Sequence, residues 1–469
     1  LVLALTSEPQ SLDPRFGTDA NAARVADLLH VGLTRADASA QRVPELAAGW
    51  TMRDPVTIVF DLRTDFRFSD GVPVTADDVR ATYEAVLDPN LASPKRTALA
   101  MLSAIEAPDS HTIVMRLREP FPPFLDATGL GILPGAHARD PGPVTIGAGP
   151  FRLVAVERGE RLVLAPNPGY PGGPPRIDPL VVRIVPDEVV RVLELTRGGV
   201  QLLEDPPEPE TLAWLARVPT VEVRRQPGTS FYYLAMNLRD PRLARRRVRQ
   251  AIALALDRDG LVRFVLGGAA RPATGLLAPE HWAYAPLRRL PRSLRRARRL
   301  LDRAGYRDPD GLGPLSRFRL IYKTSSQPGR RRLAEAIQAD LAAVGIGVDI
   351  RTYEWGTLYA DVRRGNFELC ALAWVGVGDP DLYYLTLHSS MRPPAGYNRG
   401  GYASRVMDRL TSRGRRTPDL ERRRAIYARI QQRAARDLPV VPLWWEDRVV
   451  VQTTRLRGFE PAPGGRLTI

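Results

Sequence analysis

Between residues 293 and 374 the chain alternates helix and strand patterns over short connections, and that alternation restricts it to folds built on a mostly parallel sheet. Residues 293–304 read as a helix stopped by Gly305, 318–322 as a strand, and 331–344 as a helix ended by Gly345. A strand at 348–353 and a short helix at 357–364 follow. Parallel neighbours need crossover connections, and these helices supply them. Leu369, Cys370, Ala371, Leu372, Ala373 and Trp374 then form an apolar run that reads as a buried strand. It breaks into Val375-Gly376-Val377-Gly378, then Asp379-Pro380-Asp381, then Tyr383-Tyr384 at the start of a helix. A buried strand running into a glycine-rich turn at its carboxyl end is where open α/β sheets bind ligands.

The rest of the chain adds a different texture. An apolar strand at 1–5 meets two prolines, Pro9 and Pro14, which hold the next segment extended. Residues 21–33 read as a helix, 43–50 as an apolar corner around Trp50, and 56–62 as an alternating strand. A second strand is expected to end in the Asp70-Gly71 turn. Thr75 then caps a helix whose first turn holds Asp77 and Asp78, carboxylates suited to the positive end of the helix dipole. With a strand at 112–117 these elements make an α+β unit. Later strands are read at 181–185, 231–238, 440–445 and 448–453, and helices at 188–197, 247–256 and 420–436.

At 469 residues the chain suggests two or three domains. No apolar run approaches the roughly 20 residues that cross a bilayer. The chain starts at Leu1, and is read as a mature form from which an export signal has been removed. Its one cysteine, Cys370, excludes a disulfide framework and a thiolate metal cluster. The net charge of +15 comes with clusters such as Arg245-Arg246-Arg247 and Arg330-Arg331-Arg332. These are dispersed over several helices with no aromatic interleaving and match no nucleic-acid reader, so no nucleic-acid partner is expected.

No phosphate loop, HExxH, GxSxG or cysteine–histidine metal spacing occurs. The histidines at 30, 111, 137, 281 and 388 are scattered and read as surface or capping residues. Gly147 and Gly149 precede Pro150 with no helix opening, so they are no dinucleotide fingerprint. The Asp77-Asp78 and Asp379–Asp381 pairs have no histidine or lysine beside them. No catalytic residue, metal site or cofactor is expected, and an enzyme acting on peptides or esters would lack its nucleophile and base.

A series of segments in order resembles the large solute-binding proteins of ABC importers, the dipeptide- and oligopeptide-binding family. They are SEPQSLDP (7–14), GLTR (32–35), VPELAAGW (43–50), FDLRTDFRFSDGVPVTADDV (60–79), IGAGPF (146–151) and NPGYPGG (167–173). MNLRD with VRQAIALALDRD (236–259), AEAIQADLAAVGIGVDI (334–350), WVGVGDPD (374–381) and NRGGYASRVMDRL (398–410) complete the series, which spans essentially the whole chain. The resemblance implies the α/β, two-lobed periplasmic-binding-protein fold of cluster C type, with an extra α+β subdomain and a hinge around a cleft. Lobe I would take residues 1–35, 145–228 and 446–469, the subdomain 36–144, and lobe II 229–445. It also implies an extracytoplasmic, periplasmic or lipid-anchored monomer that captures an oligopeptide or peptide-like solute and delivers it to an inner-membrane ABC permease.

In peptide-binding relatives the loop after the tryptophan matching Trp374 carries an aspartate for the ligand's ammonium group; here Gly376 or Val377 takes that place. An arginine that holds the carboxylate in dipeptide binders is matched by Thr324 or Ser325. Asp379, one turn further on, is the candidate substitute for the ammonium anchor, but in the family pattern it belongs to the loop's structural Asp-Pro corner. Losing both anchors argues against a free dipeptide, because an unpaired buried charge costs several kcal/mol. A longer peptide held along its backbone, a sugar, a modified metabolite or a nickel chelate, with His388 near the loop, would each fit. The binding wall expected from the resemblance contains Phe16, Tyr353, Trp355, Trp374, Tyr384, Trp444 and Trp445, with Thr18 beside Phe16.

Overall fold

Strands and their crossover helices sort the chain into two compact units, Leu1–Gln226 with Arg448–Ile469, and Pro227–Asp447. The computed structural model describes residues 1–138, 140, 146–311 and 313–461. The subdomain boundary expected at 144–145 lies outside the described residues.

In the first unit Val2–Leu5 is the middle of a sheet, parallel to Leu180–Ile184 on one side and to Leu202–Leu203 on the other. Arg161–Pro166 and Phe151–Glu157 extend it antiparallel. A separate four-stranded antiparallel sheet runs Ala47–Asp54, Thr57–Leu62, Thr112–Leu117, Leu102–Asp109. The helix Ala76–Leu87 covers it, and Phe60, Phe68, Tyr83 and Phe124 fill the core between them. The expected cap is present: Asp78 accepts from the Thr75 N–H and hydroxyl at 2.8 and 2.9 Å.

Two local expectations fail here for identifiable reasons. Trp50 lies in the strand Ala47–Asp54, opposite Phe60, and forms no corner. That strand is an edge with mostly exposed residues, so it lacks the apolar alternation that marks a strand. The strand expected before Asp70-Gly71 is reduced to a single bridge between Arg67 and Pro73. Proline has no N–H to extend the ladder.

In the second unit Phe318–Ser325 pairs in parallel with Ile346–Tyr353, and at Tyr322 with Leu369 of the strand Leu369–Trp374. Pro328–Ala342 is the crossover helix. The sheet is mixed, because Val221–Met236 runs antiparallel to Leu369–Trp374, with Phe231 opposite Trp374. That strand starts ten residues before its expected start, since Pro227-Gly228 bends no chain there. The last two expected strands are one, Val440–Thr453, because Glu446 and Asp447 interrupt the apolar pattern but not the backbone. One face of the sheet packs Leu234, Tyr322, Ile337 and Trp444; the other packs Phe231, Tyr233, Cys370, Leu372 and Tyr427.

Candidate ligand-binding site

The carboxyl ends of the parallel strands bring Thr324, Ser325 and Tyr353 together, with Ser325 in register with Tyr353. Both hydroxyl residues are buried, and the Thr324 hydroxyl donates to the Arg330 carbonyl at 3.3 Å. Next to them the Lys323 ammonium donates to Asp361 at 2.6 Å and lies 5.2 Å from the Tyr353 ring. That ammonium holds the Asp361 carboxyl down at about 2. These strand ends are therefore polar, and the Lys323 ammonium among them is already neutralised.

The loop after Trp374 is held from several sides. Gly376 has φ 62°, a left-handed conformation that suits glycine. Val377 is buried in the aromatic core. His281 is buried too, contrary to the surface or capping role expected of it. Its Nε2 donates to the Gly378 carbonyl at 2.5 Å, while Nδ1 accepts from the Ala283 N–H at 3.0 Å. Burial lowers its pKa, so it stays neutral and keeps that tautomer. His30, likewise expected at the surface, is fully enclosed, and burial brings its pKa down to about 4.

Both loop carboxylates are committed to arginines. Asp379 receives Arg423 through two hydrogen bonds, 2.7 and 2.5 Å, with the two side chains only 13% and 5% exposed. Its other role is to accept from the Asp381 N–H at 2.7 Å, which fixes the Asp-Pro corner. Asp381 accepts from Arg415 at 3.0 Å, yet burial outweighs that cation and pushes its carboxyl up to about 7. The Arg415 guanidinium also covers the Tyr384 ring at 3.6 Å. His388 spends its ring nitrogens on Ser390 and Ser412, at 2.7 and 3.2 Å. Among the described residues no cluster of three or more histidine, cysteine or acidic side chains is placed to hold a metal.

Behind Trp374 lies a cavity of about 70 Å³, lined by Phe231, Tyr233, Leu372, Trp374, Tyr397 and Arg399 among others. Arg399 comes from the turn after Asn398, whose amide donates to the carbonyls of His388 and Tyr402 at 3.0 and 2.8 Å. Gly400 seats this turn on the end of a strand: its carbonyl accepts from the Leu238 N–H at 2.8 Å. A Cβ at Gly400 would come within 2.5 Å of the Met236 carbonyl oxygen. The guanidinium of Arg399 lies 5.3 Å from the ring centres of Trp374 and Tyr359 and 5.5 Å from that of Tyr397. It donates to the Tyr359 hydroxyl at 3.1 Å. Trp355, half exposed, stacks on Tyr359 at 5.6 Å.

The remaining expected wall residues are placed differently. Trp444 and Trp445 sit on opposite faces of one strand, as consecutive side chains must, and both are core: 1% and 3% exposed. Trp444 stacks on Tyr232 at 5.2 Å. In the first unit Phe16 lies under the Arg15 guanidinium at 5.6 Å, and the Thr18 hydroxyl donates to Gln10 at 3.3 Å. Sequence reasoning did not select Arg399, Tyr359, Tyr397 or His281. The available signal was the Tyr397-Asn398-Arg399-Gly400-Gly401 run, where an aromatic, an arginine and a close-packing glycine adjoin.

A mixed α/β sheet in two units, with polar and aromatic side chains gathered at strand ends and loops, is the architecture of periplasmic binding proteins. A profile described as bacterial extracellular solute-binding proteins, family 5 Middle, matches residues 41–393, and the chain belongs to that family. It is 29% identical to di/tripeptide-binding protein 2 of Pseudomonas aeruginosa (strain UCBPP-PA14), over 99% of this chain and 92% of the relative. Among solved structures it is similar to the periplasmic binding protein DppA of Helicobacter pylori in complex with peptide STSA, at 27% identity and TM-score 0.78, covering 98% and 95% of the two chains. It is also similar to the binding protein AgaA of A. tumefacien R10 in complex with agropinic acid, at 27% identity and TM-score 0.78, covering 99% and 95%. The family consists of solute-binding proteins of ABC importers. No helix among the described residues is long and apolar enough to cross a membrane.

Proposed function

We propose that this chain captures an oligopeptide or peptide-like solute outside the cytoplasm and hands it to an inner-membrane ABC permease, binding without turnover. The first unit is read as lobe I with its α+β subdomain, the second as lobe II, and the protein as a monomer, lipid-anchored or free, with no nucleic-acid partner. The observation that carries the ligand reading is the commitment of both loop carboxylates, Asp379 to Arg423 and Asp381 to Arg415. With Gly376 and Val377 beside them, the loop offers a free ammonium group no unspent acid. Thr324 and Ser325 likewise offer neutral hydroxyls where a dipeptide carboxylate would need a cation. The solute favoured is therefore less zwitterionic than a dipeptide: a longer peptide held along its backbone or a modified metabolite. The relative solved with agropinic acid supports the second form.

The test is mass spectrometry of solute released from protein purified without denaturant, followed by calorimetry with the identified compound. Submicromolar binding of unmodified dipeptides would overturn the ligand reading, and product formation from a peptide library would overturn the non-enzymatic one.

A further inference from the structure

We propose that Arg399 is an anion-binding residue, and that the solute presents a carboxylate or comparable acidic group to it in the cavity behind Trp374. This deepens the solute-binding reading and rests on it. The argument begins with how the chain treats its other buried arginines. Arg15, Arg24 and Arg423 meet carboxylates. Arg191, Arg249 and Arg258 each donate to several backbone carbonyls. Arg399 is 8% exposed and has neither. Its surroundings are the Tyr359 hydroxyl, the Tyr233 phenol and three ring faces, and among the described residues no carboxylate pairs with it.

Cys370 lies close to it and supplies no counter-charge, since burial pushes that thiol up to about 12. A guanidinium withdrawn from water without a counter-ion is costly, and ring faces return only part of that. Stacking occupies the faces of the planar guanidinium, and its edge N–H groups, met among the described residues only by the Tyr359 and Tyr233 phenols, suit a carboxylate well. The cavity it borders is otherwise largely apolar, with Phe231, Leu372 and Leu276 in its wall. The chemistry selected is an acidic group flanked by an apolar or aromatic portion.

Two probe pairs test this by calorimetry: N-acetyl-trialanine against its C-terminal amide, and gluconate against glucose. The wild-type chain is expected to bind the anionic member of at least one pair tenfold or more tighter than the neutral one. Arg399→Gln is expected to abolish that preference, and Arg399→Lys to keep part of it. Thermal midpoints within a few degrees of wild type show that the variants fold; if Arg399→Gln does not fold, the Arg399→Lys preference decides. An anion preference confined to the sugar pair supports the arginine site while removing the peptide reading. No preference in either pair, or a preference that Arg399→Gln leaves intact, overturns the proposal.

Discussion

The loop that follows Trp374 and the cavity behind it use arginine in opposite ways. Arg423 and Arg415 enter the loop as counter-ions, each bound to an aspartate side chain that is itself nearly buried. Arg399, in a later turn of the same unit, is also buried but is met by aromatic rings and phenols. Scarcity of acid sharpens the contrast. The second unit carries 40 Arg and Lys against 21 Asp and Glu, a net +19, which leaves −4 for the first. In so basic a unit the carboxylates that remain inside mark where rigidity is built. A cation left without one marks where an outside group completes the structure.

The largest effect expected is at the neutralised corner. Asp379→Ala strands the Arg423 guanidinium in the interior and is expected to cost about 3–5 kcal/mol, read as a fall in thermal midpoint. Arg399→Met, removing a cation that has no counter-ion, is expected to cost about 1 kcal/mol or less, because the lost ring contacts are offset by relief of desolvation. Equal losses for the two variants would break the comparison.

Gly400→Ala comes next. The added methyl meets the Met236 carbonyl, so the turn must shift, at about 1–3 kcal/mol and with weaker anion binding. Unchanged binding in this variant would show that the position of Arg399 is not set by the turn.

The third concerns pH. The Asp381 carboxyl is pushed up to about 7 in the fold, against about 4 in an unfolded chain. The folded state therefore holds a proton that the unfolded state has released. The stabilising contribution is complete below about pH 4 and is lost as pH rises towards 7. Thermal midpoints measured across this window should fall with rising pH more steeply in the wild type than in Asp381→Asn; parallel slopes would refute this assignment. A small effect, about 1 kcal/mol, is expected of Tyr359→Phe, which removes a hydroxyl that accepts from Arg399.

How much of this was legible beforehand follows from the physics of each element. Helices with caps and stops read well: the expected 188–197 is Glu188–Arg197, because Asp187 caps it and Gly198 ends it in a left-handed conformation. The strand that carries Trp374 read well too, since a strand packed on both faces is apolar throughout. The edge strand at Trp50 did not, because exposure erases alternation. Of the site, the loop was visible as a glycine-rich break. Arg399 was not: the aromatic and glycine neighbours in its run hint at a packed turn, but they do not say that the guanidinium is buried. Its meaning depends on Tyr359, Trp374 and Tyr397, which pattern reading cannot bring together.

The seating of that guanidinium over Trp374 has an optical consequence. An indole's emission responds to the electric field across its ring, and a fixed positive charge 5.3 Å from the ring centre sets that field. An acid arriving at Arg399 changes it. The difference between the spectra of the wild type and Trp374→Phe thus reports occupancy of this cavity without a label.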